Sequence, residues 1–86
     1  MPEISRFLGI VIAMYYNDHA PPHFHARYGS SEIRVNIQSG EIMSGQFPRR
    51  AENLVLEWLE LHRGELLEDW KLAQDRKPLK KIEPLE

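Results

Sequence analysis

The sequence predicts an α+β fold: a four-stranded antiparallel meander, then two helices packed on one sheet face, then an extended C-terminal tail. Three observations predict it. Polar and apolar residues alternate over residues 23–28 and 32–38, the two-residue period of a half-buried strand. Short Gly, Ser and Asn turns separate the runs, which favours antiparallel neighbours over crossovers. From Ala51 onward the apolar spacing changes to that of a helix.

The first strand is expected at residues 9–16, a β-branched and aromatic run that stops at the turn pair Asn17-Asp18. Residues 19–22 (His-Ala-Pro-Pro) must be extended or turned, because proline fixes its own φ and biases the residue before it away from helix. In the second strand His23, His25 and Arg27 point one way, and Phe24, Ala26 and Tyr28 the other. A turn at residues 29–31 leads into the third strand, with Ile33, Val35 and Ile37 on its apolar face and Arg34 and Asn36 opposite. Ser39-Gly40 suits a hairpin, and residues 41–47 form a weaker fourth strand.

Pro48 fits the first position of a helix, where its missing N–H would be unpaired in any case. Ala51, Leu54, Val55, Trp58, Leu61 and His62 form its apolar stripe. Gly64 is expected to break or kink this helix, and a second runs over residues 65–73 with Leu66, Leu67 and Trp70 inward. A single domain therefore spans residues 1–75, and residues 76–86 form the tail, whose Leu79, Ile82 and Leu85 are candidates to dock on this domain or on a partner.

Composition narrows the functional classes. No run approaches the roughly 20 apolar residues that cross a bilayer, and the opening Met1-Pro2-Glu3 has no basic-then-apolar signal pattern, so no membrane role is expected. The absence of cysteine removes disulfides, thiolate nucleophiles and Cys-based zinc sites, and suits a cytoplasmic protein. A net charge of −2 argues against generic nucleic-acid binding. Residues 1–50 nevertheless carry five Arg against four acids, leaving a local anion-binding face open. At 86 residues the core is thin, so a second copy or a partner chain is a natural supplement.

Chemistry concentrates in residues 18–25, which hold three of the four histidines beside two stiffening prolines. On a strand, His23 and His25 project from one face with Cα atoms about 7 Å apart. One reading is a divalent, zinc-like metal held by Asp18, His19, His23 and His25, without any standard zinc spacing. Another needs no cofactor: His19, His23 and His25 act as acid and base on a phosphodiester, with Arg27 and Arg34 holding the phosphate. If the substrate is RNA, its 2′-hydroxyl supplies the nucleophile. A third reading is structural, the histidines capping the loop by hydrogen bonds.

Residues 2–7, 9–12 and 14–19, with Pro21-Pro22-His23-Phe24-His25, then Glu57-Trp58-Leu59, His62 and Trp70, resemble a bacterial family of small proteins of unknown function. Its motif reads Asp-His-x-Pro-Pro-His-Phe-His, and some of its genes are identified as DhiT-type toxins of type II toxin–antitoxin modules. The resemblance implies an intracellular, cytoplasmic protein of bacterial or phage-related origin with a small cognate antitoxin-like partner. Combined with the histidine cluster, it makes a toxin-like protein acting on RNA the leading expectation. A non-enzymatic module binding protein or DNA, and a metal-dependent phosphoester hydrolase, are the alternatives.

Overall fold

The computed structural model describes residues 2–85; Met1 and the tail's last residue, Glu86, lie outside them. Five strands run β1 (Glu3–Phe7), β2 (Ile10–Ala13), β3 (His23–Tyr28), β4 (Ser31–Asn36) and β5 (Ile42–Gly45), followed by one helix, α1 (Arg49–Gln74). The strands form one antiparallel sheet in sequential order, so the expected α+β class and meander hold.

Two counts differ from the expectation. The sheet has a further strand, β1, because its alternation is broken: the register with β2 shifts between Glu3 and Ser5, which puts Ile4 and Ser5 both out of solvent. Its turn is also disguised, since Leu8 takes a positive φ of 51° beside Gly9 at 83°. Left-handed backbone at both positions matches the twist of a two-residue hairpin, but leucine is rare there.

The second difference is the helix. Gly64 does not end it, and α1 continues for 26 residues with a local kink where His62 leaves helical geometry (φ −126°, ψ 20°). The chain bends two residues before the glycine because other groups take over there. His62 Nδ1 meets Glu65 at 2.5 Å, and Arg63 Nε donates to the Ile37 carbonyl beyond β4. Pro48 sits one position earlier than expected, as the residue preceding the helix.

The core lies between one sheet face and α1. Phe24, Ala26, Ile33, Val35 and Ile37 are buried as expected, while Tyr28 is 40% exposed and rests on Phe47. Leu61, expected in the helical stripe, is exposed. Trp58 is fully buried against Phe7 and Phe24, tying α1 to β1 and β3. In β5, Gly45 is required, because a Cβ would run into the Glu32 carbonyl oxygen of β4.

The tail belongs to this core. Ile82 is buried and its N–H donates to the Ile4 carbonyl on edge strand β1, while Leu79 and Leu85 pack partly buried against the cluster. The Glu83 carbonyl accepts from Trp58 Nε1 at 2.8 Å. Lys80 N–H donates to Oδ1 of Asp69, a buried carboxylate whose Oδ2 has no partner among the described residues.

Two outcomes follow for stability. Truncating Ile82→Ala leaves a cavity where the tail meets β1 and should destabilise the fold by about 2–4 kcal/mol in urea unfolding; a change under half of that would show the tail to be peripheral. Burial pushes the Asp69 carboxyl up, with the Lys80 N–H opposing. The folded state therefore holds this proton more tightly than the unfolded chain, and stability falls as pH rises from the ordinary aspartate value through the raised one. Asp69→Asn, which keeps the acceptor for Lys80, should unfold at higher temperature than wild type near pH 7, and the gain should shrink on acidification.

Candidate functional site

β2 ends at Ala13, and the chain takes residues 14–22 to return to β3. That loop carries Asp18, and β3 opens with His23 and His25. His25 lies between Ala13 of β2 and Arg34 of β4, on the sheet face away from α1. His23, at the strand's first position, pairs with Asn36 and is buried, its ring 5.3 Å from that of Trp70. The open face expected for His23 is thus closed at this end by the loop and by the C-terminal part of α1. Tyr15 meets His25 edge-on at 4.5 Å. These contacts restrict both rings to one orientation.

The two imidazoles converge on one oxygen. His23 Nε2 lies 3.0 Å and His25 Nε2 3.4 Å from Oδ2 of Asp18. The opposite nitrogens are engaged as well, His23 Nδ1 with the Pro21 carbonyl at 2.8 Å and His25 Nδ1 with Glu32 at 3.1 Å. A carbonyl or carboxylate only accepts, so each Nδ1 must carry the hydrogen. In a neutral imidazole this leaves a lone pair on Nε2, aimed at an oxygen that also only accepts. Ligand atoms of all three residues lie within 4.8 Å of one another.

Such an arrangement calls for positive charge at its centre, which a hydrogen on Nε2 or a bound cation would supply. Metal-binding histidines have this form, one nitrogen on the ion and the other N–H held by a carbonyl or carboxylate. Desolvation raises the Asp18 pKa, but the His19 N–H and the two histidines outweigh this and hold the carboxyl below its ordinary range.

Residues 9–71 match a family described as a domain of unknown function, DUF4160. The chain belongs to the DUF4160 family. This agrees with the small-protein family of unknown function expected from the sequence, and the match spans Asp18, His23, His25 and Glu32. No curated protein and no solved structure matches the chain. As in the expectation, no helix among the described residues is long and apolar enough to cross a membrane.

In this DUF4160 chain the expected site residues separate into three groups. Asp18, His23 and His25 come together. His19 does not join them: its exposed side chain leaves, and its contribution is the backbone N–H on Asp18 Oδ1 at 2.9 Å. Arg27 and Arg34 are exposed beside the cluster, Arg27 on the face of His25 and Arg34 directly opposite His25 in the β3–β4 register. Arg34 Nε is steadied by the Ser44 hydroxyl at 2.8 Å. Leu79, Ile82 and Leu85 lie in the tail, packed on this chain's own core.

Glu32 and the Pro21 carbonyl were missed as orienting groups. Glu32 was legible in principle, because counting back from the Gly29-Ser30 turn sets it opposite Arg27 and diagonal to His25, within reach of a long side chain. A shallow concavity nearby is lined by Tyr15, His25, Arg27 and Glu32; a larger one of about 470 Å³ lies at the start of α1 beside Leu8 and Tyr28.

The lowered Asp18 pKa makes its contribution to stability present above the ordinary aspartate value and lost as pH falls through the folded one. In metal-free buffer, wild type should therefore exceed Asp18→Asn in stability at pH 6–7, and the gap should close on acidification below the folded value. A gap independent of pH would remove the ionised carboxylate from the account.

Proposed function

We propose that this chain holds one divalent, zinc-like ion through Asp18 Oδ2, His23 Nε2 and His25 Nε2, and acts as a metal-dependent phosphoester hydrolase. The carrying observation is that ligand atoms of Asp18, His23 and His25 lie within 4.8 Å of one another while both Nδ1 atoms sit at hydrogen-bond distance from the Pro21 carbonyl and Glu32. Among the described residues no fourth His, Cys, Asp or Glu joins the cluster. Three protein ligands are the pattern of catalytic zinc, whereas closed structural sites use four.

When bound, an ion so held lowers the proton affinity of a coordinated water and polarises a phosphoryl oxygen. The chain's own residues do the rest. Asp18 and the two histidines would hold the ion at the start of the central strand β3, and Pro21 and Glu32 hold the rings. Arg34, about 5 Å away at Cβ across the strand pair, is placed to take a phosphate oxygen, with Ser44 limiting its freedom. Hydrolysis adds one water across the P–O bond, leaving a phosphate ester and a protonated leaving oxygen.

The geometry favours this over metal-free acid–base chemistry by the same histidines. An acid–base pair acts from two sides of the scissile bond, but these two nitrogens meet at one carboxylate oxygen and one ring is buried. The toxin-like role implied by the family resemblance fits as the biological form of this reading, with RNA as the substrate and an antitoxin-like protein as the inhibitor.

Untagged protein should take up a single zinc per chain, measured by elemental analysis and by competition with a chromogenic chelator. Glu32→Ala should weaken zinc about 10–100-fold by freeing His25 Nδ1. Hydrolysis of a chromogenic phosphodiester and of single-stranded RNA should disappear with chelator and with His25→Ala, and Arg34→Ala should act mainly on KM. Absence of zinc uptake by wild type would refute the reading. Uptake without turnover would make the chain a metal-stabilised binding module.

A further inference from the structure

The end of α1 is closed by two backbone bonds, from Lys77 N–H to the Leu72 carbonyl at 2.8 Å and from Arg76 N–H to the Ala73 carbonyl at 3.2 Å. This pattern needs left-handed backbone at the first residue past the cap, and glycine usually occupies that position. Here it is Arg76, with φ 57°. Of the six other left-handed positions among the described residues four are glycines (Gly9, Gly29, Gly40 and Gly45) and two are Leu8 and Asn17, so an arginine at this one carries backbone strain.

What Arg76 gains is a contact. With the Asn17 side-chain oxygen turned toward it, the orientation that pairs donors with acceptors, the guanidinium donates through Nε at 2.9 Å and through Nη2. Asn17 is itself left-handed, with φ 56°. Two residues before Arg76, Gln74 Nε2 donates to the Asp18 carbonyl at 3.2 Å. The helix end therefore grips residues 17 and 18 from outside, while the His19 N–H holds Asp18 Oδ1 and leaves Oδ2 facing the histidines.

We propose that Arg76, assisted by Gln74, is a positioning residue for the cation site, setting the 17–18 turn so that Asp18 Oδ2 meets His23 and His25. This inference rests on the metal-binding reading above. It explains why an arginine stands where the backbone favours glycine, and it couples a ligand near residue 18 to a helix end 56 residues later. Arg76 touches neither ion nor substrate and acts through Asn17 and Asp18.

The test is Arg76→Gly in the full chain, followed by thermal unfolding in metal-free buffer and by zinc affinity from chelator competition. Glycine relieves the left-handed strain, so the unfolding temperature should hold or rise. Zinc affinity should nevertheless fall about tenfold, the scale seen when groups behind a metal ligand are lost. The direction is informative, because removing a cation from beside a divalent site would by charge alone strengthen binding. Arg76→Lys, which keeps the charge and loses the two-pronged contact, should also bind zinc more weakly than wild type.

Unchanged affinity in Arg76→Gly, with wild type binding zinc, would overturn the proposal and leave the metal reading standing. A fall in unfolding temperature together with affinity would assign Arg76 a general structural role and overturn it as well. Failure of wild type to bind zinc would remove the metal reading and this inference with it.

Discussion

Oδ2 of Asp18 faces two imidazole nitrogens whose partner nitrogens are already committed, and the surrounding structure is organised around that constraint. A surface carboxylate could rotate away from such a confrontation into water. Asp18 cannot, because its other oxygen takes the His19 N–H and its carbonyl takes Gln74. The rings are equally confined, one against Trp70 and the other against Tyr15. Every group that could relieve the crowding by moving is held by another element of the fold.

The fold supplies those restraints from distant parts of the chain. The meander places Glu32 and Arg34 beside His25 through the β3–β4 register. The continuation of α1 past its kink matters more than its core-facing residues suggest, since its last turns deliver Trp70 and Gln74 to the loop between β2 and β3. The tail then fastens the same helix back onto edge strand β1 through Ile82, Glu83 and Lys80. A loop of residues 14–22 would otherwise be the least ordered part of the molecule. Here it is enclosed by strand, helix and helix end, so order at Asp18 depends on the packing of the whole domain.

How much of this was legible depended on whether a signal was local. Alternation marked β3 and β4 well, because their mutual register runs without a bulge beside a polar turn. Strand β1 was hidden by the irregularity between Glu3 and Ser5 and by leucine in a turn that normally advertises itself with Asn or Gly. The histidine cluster was visible as composition, and Asp18 as its neighbour. His19 was grouped with them because adjacency in sequence says nothing of direction, and residue 19 turns outward after the carboxylate it caps. Gln74 and Arg76 were out of reach: with α1 divided at Gly64, no argument from spacing could bring residues 74–76 back to residue 17. The signal for Arg76, strain at a left-handed position, exists only in the backbone.

The central charge can be supplied in two ways, and their electrostatics differ. Adding a hydrogen to each Nε2 makes two cationic rings with centres 5.4 Å apart, one of them almost wholly removed from water. Asp18 faces both rings and Glu32 faces His25, and their attraction opposes the repulsion between the rings. A single divalent ion, as proposed above, would carry the same total charge at one point and would be held by all three ligand atoms at once. The hydrogen bonds to Pro21 and Glu32 are then needed rather than incidental, since they keep the Nδ1 hydrogens in place and the Nε2 lone pairs directed inward. The proposed ion and the proposed positioning role of Arg76 would thus answer to one requirement, positive charge where Asp18 Oδ2 meets the two rings.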